Sequence, residues 1–134
     1  MQVNRGNKTM TKARYLGIWM DHASAHLMEF TVDPIETKTI ETNVPHHSHN
    51  FGKNENLIHH KEQHQAMEYY KKLGQLIKNY EEVILFGPTD AKIELFNFLR
   101  KDQHFAKVKM TVTQADKMTE NQQHAFVREY FSKQ

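Results

Sequence analysis

Cysteine is absent from the 134 residues, which excludes disulfides and thiolate metal sites and suits a reducing compartment. No apolar run approaches the roughly 20 residues of a membrane span. The opening stretch, "MQVNRGNKTMTKAR", lacks the apolar segment of a secretory signal. A cytoplasmic protein with no membrane partner is therefore expected. Charge of one sign is also lacking: 18 Lys and Arg face 16 Asp and Glu, a net +2, which excludes a general polyanion binder. No nucleophile elbow, phosphate-binding loop or dinucleotide fingerprint occurs. No cofactor is expected.

The apolar residues, 38% of the chain, are grouped rather than scattered, which fits one folded domain of this length. Arg5, Lys8, Lys12 and Arg14 precede any acidic residue. Residues 1–13 read as a basic, flexible arm that can touch phosphates, or equally as a frayed terminus kept soluble by charge. The domain proper is expected over 14–134.

Within it, Arg14–Asp21 is apolar with a β-favouring centre, and Ser24–Val32 alternates, with His26, Met28 and Phe30 opposing Ala25 and Leu27. The "DHAS" between them predicts an antiparallel hairpin. Ile35–Val44 reads as a third strand with one solvated face. A helix is expected from Asn56 to Tyr80 on the spacing of Met67, Tyr70, Leu73, Leu76, Ile77 and Tyr80. Val83–Phe86 is a continuous apolar run, as in a strand covered on both faces. It ends in Gly87-Pro88, after which Thr89 or Asp90 can cap a helix with Ile93, Phe96 and Leu99 as its inner stripe. A last strand places Val108, Met110 and Val112 inside. Thr119 and Gln122 have capping-box spacing for a closing helix whose face is Ala125, Phe126, Tyr130 and Phe131. The fold class is thus α/β: a single domain, a mixed β-sheet and the order β-β-β-α-β-α-β-α.

"VILFGPTDAKIELFNFL" resembles the strand–Gly-Pro–helix signature of the central domain of archaeo-eukaryotic class I release factors and of Pelota, with Gly87, Pro88 and Lys92 at its marked positions. "MDHASAHLMEF" is similar to that family's opening hairpin. The resemblance covers roughly Tyr15 to Phe131 and implies an RNase H-like fold in a compact bacterial relative. It also implies a ribosome- or RNA-associated module. Release factors carry Gly-Gly-Gln between the third strand and the first long helix. This sequence has no such tripeptide, and Gln63 and Gln65 have no glycine pair beside them. Peptidyl-tRNA hydrolysis is therefore not expected.

The stretch in that position is "HHSHNFGKNENLIHHKEQH", which holds six of the ten histidines. Three readings stay open. Imidazoles and Phe51 can stack on unpaired bases, lysines meet phosphate, and Asn and Gln meet base edges, so Lys53, Asn54, His59, His60, Lys61 and Gln63 are the candidate RNA- or ribosome-binding set. His60 and His64 lie four apart and, with His46, His47 or His49, form the candidate set for a metal, although H-E-x-x-H is missing. A solvated polar loop and helix start is the third. For a two-metal nuclease Asp21 is placed at the end of the first strand, with Asp90 after the fourth and Asp116 after the last, although Asp90 reads more simply as a helix cap and Asp116 as part of a helix entry. A candidate anion-binding turn is formed by Gly87 and Pro88 at a helix N-terminus, assisted by Lys92.

Overall fold

Alternating and continuous apolar segments build a five-stranded sheet in this computed structural model, which describes residues 14–32, 35–45 and 55–133. The strands are β1 (Tyr15–Met20), β2 (Ser24–Val32), β3 (Ile35–Pro45), β4 (Glu82–Gly87) and β5 (Lys109–Gln114). The helices are α1 (Glu55–Ile77), α2 (Ala91–Arg100) and α3 (Glu120–Ser132), with a 3-10 turn at Gln103–Phe105. The sheet order is β3-β2-β1-β4-β5. β2 runs antiparallel to both β1 and β3, whereas β4 is parallel to β1 and β5. Four strands therefore point one way and β2 alone points back.

The period of two along each strand sorts the core into two layers. Leu16, Ile18 and Met20 of β1, Leu27 of β2 and Val83 and Leu85 of β4 meet Tyr69, Tyr70, Leu73 and Ile77 of α1 and Leu95 and Leu99 of α2. Met28, Phe30, Ile84 and Phe86 project from the other face onto Val127 and Phe131 of α3. Phe86 stacks on Phe126 with ring centroids 4.3 Å apart, and Tyr15 stacks on Phe131 at 5.0 Å. The apolar run of β4 is thus buried on both sides, as its composition predicts. Gly17 is what lets α3 approach: a Cβ there would lie 2.3 Å from Val127 Cγ2.

Several expected faces are turned. In α2 the buried positions are Ala91, Lys92, Leu95 and Leu99, whereas Ile93 is 43% exposed. The stripe follows i, i+4, i+8 from a small residue that sits close to the sheet, and Ile93 lies off it. In α3 the buried positions are Gln123, Val127 and Phe131; Phe126 is half-buried and Ala125 exposed. Met67 of α1 is exposed, and Tyr69 takes the inward position instead. The α1 helix stops at Ile77, and Tyr80 is buried beyond it, its N–H donating to Ile77 O at 3.0 Å. Thr37 and Thr39 of β3 share a face and hydrogen-bond to His124 of α3. The capping box is present: Thr119 Oγ1 accepts from Gln122 N–H at 3.2 Å and Gln122 Oε1 from Thr119 N–H at 2.9 Å.

Candidate functional site

Because β1, β3, β4 and β5 share one direction, their carboxyl ends lie along a single edge of the sheet, where open α/β sheets generally bind ligands. Pro45, the last residue of β3, pairs with Ser24, so the segment that leaves β3 starts beside the β1–β2 turn. The turns after β1, β4 and β5 complete the edge.

In the first turn Asp21 serves its own backbone. Its Oδ1 accepts from Ala23 N–H at 2.7 Å and Ser24 N–H at 3.0 Å, which closes the hairpin. Two tyrosines of α1 buttress the turn from the core side. Tyr69 Oη donates to Asp21 O at 3.0 Å, and Tyr70 Oη donates to Glu94 Oε1 at 2.5 Å. His22 Nε2 lies 3.4 Å from the other oxygen of the same carboxylate. Burial pushes both phenols up, with the Asp21 charge adding at Tyr69 and the Glu94 hydrogen bond adding at Tyr70. Both therefore stay protonated and act as fixed donors rather than bases.

The β4 turn is closed in a comparable way. Gly87 has φ +151°, and a Cβ there would fall 2.0 Å from Met20 O, so only glycine lets β4 end against β1. Thr89 Oγ1 accepts from Ala91 N–H at 3.2 Å, while Asp90 makes no side-chain cap bond. Lys92 is 1% exposed, and its ammonium donates to Thr89 O and, at 3.0 Å, to Gln114 Oε1. The lysine thus ties the Gly87–Pro88 turn to the end of β5. Holding an anion at this turn would require it to give up those bonds.

The three nuclease candidates are not gathered. Asp21 is held by its turn, Asp90 is exposed at the start of α2, and Asp116 is exposed after β5. Among the described residues, no group of three or more His, Asp or Glu side chains is placed to share a metal ion. His46, His47, His49, Phe51, Lys53 and Asn54 lie outside the described residues. His59, His60, Lys61, Gln63 and His64 fall within α1, which starts at Glu55.

A polar chain that the sequence reading missed links β2, β3 and α3. His26 and Gln123 are each 6% exposed. Gln123 Nε2 donates to Met118 O at 3.1 Å, so its Oε1 must accept from His26 Nδ1. With its proton on Nδ1, His26 accepts at Nε2 from the Thr39 hydroxyl, 3.1 Å away. Thr39 Oγ1 in turn accepts from His124 Nε2 at 2.9 Å, and His124 Nδ1 accepts from the Thr37 hydroxyl at 2.8 Å. With one proton on each imidazole, every donor in this chain finds an acceptor. Burial, with His26 nearby, holds His124 below the usual histidine range. The sequence signal was the position of His26 on the same strand face as Met28 and Phe30, since an inward imidazole needs a partner.

No family model and no curated protein matches the chain. Solved structures do. The Pelota protein of Archaeoglobus fulgidus aligns over 94% of this chain and 33% of its own, with a TM-score of 0.58 and 10% identity. The fold is Pelota-like. The Pelota protein of Thermoplasma acidophilum aligns over 94% and 35%, with a TM-score of 0.54 and 17% identity. Archaeal Pelota in a model of its ribosome-bound form with ABCE1 aligns over 84% and 30%, with a TM-score of 0.53 and 15% identity. The chain spans about a third of the length of these proteins.

Proposed function

We propose that this chain is a translation-associated protein that binds the ribosome, in rescue or dormancy, and carries no hydrolytic centre of its own. The observation that carries the reading is the match over most of the chain to Pelota, one example of which is described bound to the ribosome. The proposed contact is the segment between β3 and α1 together with the start of α1, with Lys53, Asn54, His59, His60, Lys61 and Gln63 meeting RNA. Its support is positional. The segment leaves β3 at the edge where the carboxyl ends of four strands gather, and it is rich in groups that stack on bases and meet phosphate. The absence of Gly-Gly-Gln from the sequence argues against peptidyl-tRNA hydrolysis. An RNase H-like ancestry, a bacterial source and a cytoplasmic location belong to the same reading.

The test is co-sedimentation of the tagged full chain with ribosomes from growing and stationary cells. Association that weakens when Lys53, His59, His60 and Lys61 are replaced together by alanine is the expected result. A protein that stays in the supernatant at low salt contradicts it.

A further inference from the structure

The two edges of the sheet differ. At one, β3 carries Glu36, Lys38 and Glu41, all exposed, and its register against β2 shifts around Leu27. Charge and irregularity of this kind discourage a further strand. At the other, β5 pairs with β4 without a shift, and Met110–Ala115 carries no charge, proline or glycine. Lys109 N–H donates to Glu81 O at 2.9 Å and Ala115 N–H to Gly87 O at 3.1 Å, so alternate residues of β5 from Lys109 onward turn their peptide groups to β4. Met110, Val112 and Gln114 therefore turn theirs outward, where the sheet order has no further strand among the described residues.

An apolar row flanks this open edge. α2 touches both β4 and β5. Its Glu94 and Phe98 look toward α1: Glu94 accepts from the Tyr70 hydroxyl, and the Phe98 ring lies 6.1 Å from the Tyr70 ring. At about 100° per residue, Ile93, Phe96 and Arg100 fall on the opposite flank, beside the open edge. Arg100 lies over the Phe96 ring, 5.5 Å from its centroid, which marks the same stripe. Ile93 is 43% exposed, and Phe96, Met110 and Val112 are only partly buried at the rim of the core. An unpaired edge with apolar side chains standing beside it is the arrangement to which an added strand binds.

We propose that β5 pairs antiparallel with β5 of a second copy of this chain, about a twofold axis through Val112. The register that engages all three outward residues is self-complementary. Val112 meets its own copy and Met110 meets Gln114 of the second copy, and each such pair exchanges two N–H···O bonds. Thr111 then stands opposite Thr113 of the second copy, a favourable cross-strand pair, and Lys109 faces Ala115, so no like charges are opposed. Strands lie about 4.8 Å apart, so helices centred over β4 and β5 in the two copies come to about 10 Å, the spacing at which helices pack. The flanks that meet are those of Ile93 and Phe96. An arbitrary extended peptide would satisfy the hydrogen bonds alone, whereas a second copy also brings a matching apolar flank. The pairing accounts for an isoleucine left in solvent on a helix whose two leucines are buried. The segment after β3 lies at the far edge and stays free, so the dimer stands independently of the ribosome reading.

The test is sedimentation velocity of the full chain over a range of concentration, with amide exchange followed by NMR. The expected result is a shift from 15.9 kDa toward twice that mass as concentration rises. The amides of Met110, Val112 and Gln114 should exchange about tenfold or more slowly in the concentrated sample, with those of Thr111 and Thr113 little changed. Thr111→Lys with Thr113→Lys sets like charges opposite each other across the axis and should return the chain to monomer, as should Thr111→Glu with Thr113→Glu. An equimolar mixture of the two variants should dimerise again, because lysine then faces glutamate. Both threonines are part-exposed, so both variants should fold, which thermal melts check. Val112→Pro should also give a monomer, because the N–H it removes makes no bond to β4. Should the proline unfold the chain, the mixture decides. A wild-type chain that stays at 15.9 kDa up to about 1 mM overturns the inference and leaves the edge to another protein's strand. A dimer that survives the lysine and glutamate variants places the interface elsewhere and overturns it. Monomeric variants that do not recombine on mixing overturn it as well.

Discussion

Gln123→Met tests the buried polar chain through an asymmetry particular to hydrogen bonds. The substitution nearly conserves volume but leaves His26 Nδ1–H, in a site only 6% exposed, without its acceptor, and it takes a donor from Met118 O. An orphaned buried donor costs about 1–3 kcal/mol, partly offset here by the added apolar surface, so a loss of about 2 kcal/mol is expected. Scaled to 134 residues, that is a fall in Tm of about 7 °C. His26→Leu removes the other partner at similar cost. The double variant removes both, and paired apolar replacement of a hydrogen-bonded couple is often close to neutral. It should therefore lose clearly less than the sum of the single variants. Urea denaturation with an unchanged m value measures all three. Losses that add to within about 0.5 kcal/mol would mean that His26 and Gln123 are energetically independent, and the one-way chain built on them would be wrong.

Four further outcomes follow from the same geometry. The unfolded chain protonates His124 before the folded one does, so this contribution is intact above about pH 6.5 and is lost as the pH falls through the lowered folded value. His124→Gln should flatten that acid limb in melts followed against pH, and an unchanged limb would remove His124 as its source. Gly17→Ala drives a methyl into Val127 and should cost about 1–3 kcal/mol, with Val127→Ala restoring much of the loss in denaturant titrations; no restoration would locate the strain elsewhere. Lys92→Met should lower stability by about 1–3 kcal/mol while leaving ribosome affinity per folded molecule unchanged; weakened affinity without destabilisation would return this lysine to an anion site. Purified protein should leave peptidyl-tRNA intact, and hydrolysis dependent on Gln63 or Gln65 would reverse the argument from the missing tripeptide.

Local pattern was legible wherever one physical rule acted alone. The unbroken Val83–Phe86 run announces burial on both faces, and Thr119 with Gln122 announces a helix start, because each depends on neighbours within a few residues. The helix stripes were harder. In α2 the reading followed the largest side chains, yet Ala91 and the aliphatic stem of Lys92 sit inside and Ile93 outside, because small residues set how closely a helix approaches a sheet. The His26–Gln123 contact joins residues 97 apart, and polar residues of α3 look like surface until β3 brings its threonines to them.

The central claim is met most directly by sedimenting ribosomes with the full chain across a range of salt. The account predicts that the wild-type protein pellets with ribosomes at low salt and is released as salt rises. It also predicts that the loop substitutions weaken the association. A chain that remains in the supernatant at low salt, in growing and stationary cells alike, would contradict it.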